Sequence, residues 1–160
     1  MATFGELSEK PSSVNFAINF QNGDMSFNDG GKTIFCTGYD KLVQDIDRCL
    51  KTHYNESTNE GNKVYSTLDI IDQYDEASVL SLIESDFRDA LIRLKAAQYT
   101  SSLPDEQIRS IESVKASYYN GDYTTVMVRI AILNGLYQSV SVGNLVLTQD
   151  LTIRHLYEEV

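Results

Sequence analysis

Between Tyr123 and Leu147 the chain carries a single charged residue, Arg129, and no proline. The first half of this stretch alternates. From Val128 through Leu133 nearly every residue is apolar, a pattern that suits a strand covered on both faces or central to its sheet. Asn120-Gly121 and Asn134-Gly135 bracket it, and such pairs favour tight hairpins because both residues tolerate positive φ. The period of two therefore predicts three consecutive strands: Ile111–Tyr119, Tyr123–Leu133 and Gln138–Leu147. Long strands with so few charges lack the usual guards against pairing with another chain. Either the molecule covers its own rims, or a partner adds a strand to them.

The rest of the chain supplies the cover. Val14, Phe16, Ile18 and Phe20 alternate with smaller or polar residues, and Asn22-Gly23 then marks a turn. Asp24–Asn28 and Lys32–Cys36, separated by Asp29-Gly30-Gly31, complete an N-terminal β-meander. Thr37 is placed to cap a helix in which Tyr39, Leu42, Val43, Ile46, Cys49 and Leu50 form one buried stripe. The segment 54–63 lacks periodicity and reads as an exposed loop. A second helix starts at the cap residue Asp75 and carries Val79, Leu80, Ile83, Phe87, Leu91 and Leu94 on one face. Ser102-Leu103-Pro104-Asp105 suggests a short third helix. Strands and helices thus fall in separate runs, the order of an α+β fold with a mainly antiparallel sheet. Its N-terminal β-meander and C-terminal strand meander pack against two long helices. The expected organisation is one domain over 14–148 with arms at 1–13 and 149–160, where Leu151, Ile153 and Leu156 are positioned to dock.

Composition narrows the function. Thirteen basic residues against 23 acidic ones leave a net charge of −10 over 160 residues, a field that repels nucleic acid and anionic membranes. No apolar run approaches the roughly 18 residues of a membrane span, and the N-terminal residues lack the basic-then-apolar pattern of a secretion signal. Cys36 and Cys49 read as reduced, buried small hydrophobes. Gly30-Gly31-Lys32-Thr33 lacks the earlier glycine and the following helix of a phosphate-binding loop, so it reads as a turn. His53 and His155 have no partner histidine at ligand spacing, no serine sits in a nucleophile elbow, and neither a metal nor a cofactor is expected. Glu56, Glu60, Glu76 and Glu84 are candidates for a glycosidase-like acid/base pair, although in so acidic a chain such proximity arises by chance.

Gly38-Tyr39-Asp40-Lys41-Leu42-Val43-Gln44-Asp45-Ile46 with Leu50-Lys51-Thr52 resembles the first helix of the gene-twenty-five-like phage baseplate wedge family, lysozyme-like by an old label and also described as the sheath initiator of contractile tails. Gly23-Asp24 matches its N-terminal meander. Asn55-Glu56 stands where the family prefers Gly-Glu, and Tyr65-Ser66-Thr67-Leu68 where it prefers Tyr-Gly-x-Leu. The Glu-Pro-Arg signature would fall at Asp105-Glu106-Gln107 or at Glu106 with Arg109, and neither reproduces it. The resemblance spans about residues 14–147 and implies a structural role rather than an enzyme. The protein would reside in the virion, assembled in the host cytoplasm. Six copies would sit in the baseplate, bound to other wedge proteins, the tail sheath protein, and tail tube or hub proteins. The sheet would template sheath assembly by strand addition. The Ser110–Leu133 hairpin and the Gln138–Leu147 strand are the expected docking elements, with Val126, Val128, Ile130, Ile132, Val140 and Val142 as contact residues and Glu106 and Arg109 making charge-assisted contacts. A small acidic glycoside hydrolase and the equivalent subunit of a bacterial contractile injection system are the alternatives.

Overall fold

The computed structural model describes residues 15–19, 25–98, 103–150 and 152–155. Its frame is a four-stranded antiparallel sheet of β3 (Ile108–Tyr119), β4 (Asp122–Asn134), β5 (Ser139–Leu147) and β6 (Thr152–His155), in that spatial order. Asn120 and Gly121 hold φ of +50° and +75° at the β3–β4 turn, the conformation that made Asn-Gly a hairpin signal. Arg129 faces Lys115 on one side and Gly143 on the other. β4 is thus central and paired along both edges, as its apolar run requires. The fold is α+β with a mainly antiparallel sheet.

Two helices cover one face. α1 (Gly38–Lys51) packs across β5 and β6, and α3 (Glu76–Gln98) packs along β3. Leu42, Ile46 and Leu50 of α1 and Val79, Ile83, Phe87 and Leu91 of α3 are buried. They meet Val126, Val128, Ile130 and Ile132 in one continuous core. Burying side chains of this size is worth about 1.5–3 kcal/mol each, so the helix–sheet interface dominates the stability. Asp75 caps α3 as the sequence suggests, its Oδ1 accepting from the Ser78 amide at 2.7 Å.

The start of α1 differs from expectation. Thr37 occupies the cap position in extended conformation, but its side chain makes no capping bond. The Gly38 amide instead donates to Glu106 Oε1 at 2.8 Å. Gly38 holds φ +63°, and a Cβ there would fall 2.9 Å from Asp105 Oδ2, so the residue must be glycine for Asp105 and Glu106 to come this close.

The N-terminal stretch forms a short ladder, β1 (Asn15–Phe16) with β2 (Phe35–Cys36), and bridges join Ile18 to Met25 and Phe27 to Thr33. Gln44 of α1 clamps this ladder, accepting from the Ile18 amide at 2.8 Å and donating to the Phe16 carbonyl at 2.7 Å. The Asn22-Gly23 turn and the arm over 1–13 lie outside the described residues, as do Leu151 and Leu156. The expected C-terminal arm is corrected in part: residues 152–155 are β6, and Ile153 docks in the core.

The segment 54–63 is also more ordered than an aperiodic loop. Asn55 bridges Glu60 and His53 bridges Asn62. Buried Asn62 donates from Nδ2 to the Leu50 carbonyl and accepts at Oδ1 from the Val64 amide at 3.1 Å, tying the end of α1 to the start of the short helix α2 (Val64–Leu68). Arg93 of α3 donates to the Gly61 carbonyl at 2.6 Å. The short third helix expected near Pro104 is a single 3₁₀ turn, Pro104–Glu106.

Candidate functional site

The sheet has two rims, and they differ. β3 forms the first, with α3 fastened along it. Glu84 Oε1 accepts from the Ala116 amide at 2.8 Å, and Gln98 Oε1 accepts from the Ile108 amide at 2.9 Å. The Tyr118 hydroxyl donates to the Glu76 carbonyl at 2.9 Å. Helix side chains thus occupy main-chain donors that another chain would need.

β5 forms most of the second rim. The Asn134 amide donates to the Gln138 carbonyl at 3.0 Å, and the Thr148 amide to the Thr124 carbonyl at 2.9 Å. Both bonds share the register that sets Ile130 opposite Val142 and Val128 opposite Asn144. In an antiparallel ladder this phase alternates, so Val140, Val142 and Asn144 point their amides and carbonyls at β4, and Ser139, Ser141, Gly143 and Leu145 point theirs away. β6 pairs with β5 only from Asn144 to Leu147. The outward groups of Ser139, Ser141 and Gly143 have no strand beside them among the described residues. Ser139 and Ser141 are exposed and Gly143 is half-buried. No proline or charge guards this half-edge.

β6 itself is held from below. His155 Nδ1 lies 3.0 Å from Asp47 Oδ1, and Lys51 Nζ lies 2.8 Å from Asp47 Oδ2. This polar group anchors the last described strand to α1. Next to it, the side-chain oxygen and nitrogen of buried Asn144 have no hydrogen-bond partner among the described residues.

The expected contact side chains fall elsewhere. Val126, Val128, Ile130, Ile132, Val140 and Val142 are at most 4% exposed and face the helices. Their side chains are core, because the pleat that buries one face of β4 sends these residues inward. β4 moreover has no free edge. Of this hairpin and strand, the backbone of β5 before Asn144 is the part with no strand beside it among the described residues. Glu106 is fully buried, caps α1 and leaves Oε2 without a hydrogen-bond partner among the described residues, so it is not a surface contact. Burial pushes its carboxyl above the usual range, with the Gly38 amide opposing. Arg109 is exposed, its guanidinium 4.0 Å from the centre of the Tyr137 ring. Sequence reasoning passed over Ser139, Ser141 and Gly143 because small polar residues carry no hydrophobic signal. The clue was the missing guard.

The remaining chemistry is sparse. Burial pushes both thiols up to about 11, and both are free. Glu56 and Glu60 stand exposed on the braced turn, Glu76 is exposed at the start of α3, and Glu84 is engaged on the β3 rim. Among the described residues no three His, Cys, Asp or Glu side chains are grouped to hold a metal. No described helix is long and apolar enough to cross a membrane. Comparisons with protein-family models, curated proteins and solved structures found no match.

Proposed function

We propose that this chain is a structural subunit of a contractile-tail baseplate, and that the open half of β5 receives a strand from a neighbouring subunit. The observation that carries this reading is the asymmetry of the rims. One is occupied by helix side chains; the other offers three consecutive outward-facing residues, Ser139, Ser141 and Gly143. An added strand would gain main-chain hydrogen bonds worth about 1 kcal/mol each, with specificity coming from alternate side chains. The resemblance of the first helix to baseplate wedge proteins names the partners: the tail sheath protein and other wedge proteins, with tail tube or hub proteins beyond. It also names the setting, six copies per baseplate in the virion. The same reading covers the corresponding subunit of a bacterial contractile injection system, which neighbouring genes would distinguish.

The test is co-purification of the tagged chain with sheath and wedge subunits expressed beside it. Ser141→Pro removes an outward donor and no bond to β4. It should keep the native circular dichroism spectrum and lose the sheath subunit, whereas Lys95→Ala should keep both. Equal sheath binding by the folded Ser141→Pro variant would place docking elsewhere. Peptidoglycan cleavage by the purified chain, lost on changing one or two acids, would favour the hydrolase.

A further inference from the structure

At the other end of the sheet, beside the β3–β4 turn, lies a cleft of about 550 Å³ walled by Tyr74, Tyr118 and Tyr123, with Asp72 and Glu76 on its margin. Tyr118 and Tyr123 meet edge to face, centroids 4.9 Å apart at 64°. Tyr118 is fixed by its hydroxyl bond to the Glu76 carbonyl. Tyr74 and Tyr123 remain 43% and 61% exposed, a large commitment of aromatic surface to water at one spot. The floor is apolar, formed by buried Leu68 and Val79.

The cleft's charge is one-sided. Among the described residues, neither Asp72 nor Glu76 has an ion-pair partner and no lysine or arginine lines the cleft. Asp75 lies beside it, occupied in capping α3. Aromatic faces are electronegative and attract cations, and nearby carboxylates add to that pull. The described residues group no three His, Cys, Asp or Glu side chains that could hold a metal ion, so the cleft does not fit a dedicated calcium site. A wholly apolar guest would leave the carboxylates facing it without compensation. A planar cation satisfies both halves: it stacks on a tyrosine ring while its N–H groups reach a carboxylate.

We infer that this cleft binds an arginine side chain of a partner protein. The site stands apart from the open half of β5 and does not depend on strand addition there. It would fix orientation through one stacked guanidinium, using an independent end of the sheet.

The probe is the tripeptide acetyl-Gly-Arg-Gly-amide, followed by NMR on the full chain. Saturable shifts should appear at Tyr74, Tyr118 and Tyr123 and weaken with added salt. The citrulline analogue, equal in shape and uncharged, should give none. Tyr123→Ala and Glu76→Gln should each weaken binding about threefold, the scale of an exposed cation–π contact or surface ion pair, with the rest of the spectrum retained. Equal binding of the citrulline peptide, or unchanged affinity in both folded variants, would overturn the inference. Ser141→Pro should leave this binding intact, so the two sites fail separately.

Discussion

The two rims of one sheet meet the same physical problem differently. Along β3 a helix lies against the edge, and Glu84 and Gln98 occupy the Ala116 and Ile108 amides, so pairing with another chain is pre-empted. Along β5 the described residues cover the half beside Asn144–Leu147, with a four-residue strand tethered to α1 through His155 and Asp47. A protein that guards one edge with side chains possesses the means to guard both. Leaving Ser139–Gly143 without proline, charge or helix makes that segment the place to look for a partner.

The comparison breaks most sharply at the centre of the sheet. Val128 is fully buried in β4, with its amide directed at Asn144. Val128→Pro should cost at least about 3 kcal/mol and unfold the domain, because it removes a ladder bond and strains a central strand. Ser141→Pro should shift the urea midpoint hardly at all. Equal destabilisation by the two would mean that the Ser141 amide is already committed within the chain.

A smaller effect sharpens the guarded side. Glu84→Ala should cost about 1 kcal/mol and speed hydrogen exchange at Ala116 selectively. Unchanged exchange there would show that α3 shields the rim by packing alone. The smallest effect lies in the turn that feeds β3. Burial raises the Glu106 carboxyl, so the native state holds this proton more tightly than the unfolded chain does. A raised native value contributes stability that is full below the unfolded value and fades as pH climbs through the native one. Glu106→Gln keeps an acceptor for Gly38 but cannot ionise. Its stability relative to the unaltered protein should therefore rise as pH goes from the acid side to neutrality, read by denaturant titration at several pH values. A constant difference would mean that the carboxylate is better stabilised than its burial implies.

Much of this was legible in the residues. Val79, Ile83, Phe87 and Leu91 announce α3 through their spacing, and Asn120-Gly121 takes the positive φ expected of it; Asn134-Gly135 marks the next turn, but there Tyr137 is the residue with positive φ. What escaped were features set by distant pairing. The cap on α1 comes from Glu106, 68 residues away, so Thr37 was the only candidate visible locally. α2 is five residues long and too short for a period to emerge. Periodicity reveals which face a residue takes, and so points to apolar side chains as contacts. It is silent on which amides point out of the sheet, and that depends on the β4–β5 register.

Amide hydrogen exchange at Ser139, Ser141 and Gly143, measured by NMR with and without the sheath subunit, tests the central claim most directly. In the isolated chain these three amides should exchange rapidly while Val140, Val142 and Ala116 are protected. Binding should then slow Ser141 and Gly143 by orders of magnitude. Protection already present in the isolated chain, or fast exchange persisting in the complex, would contradict strand addition at β5.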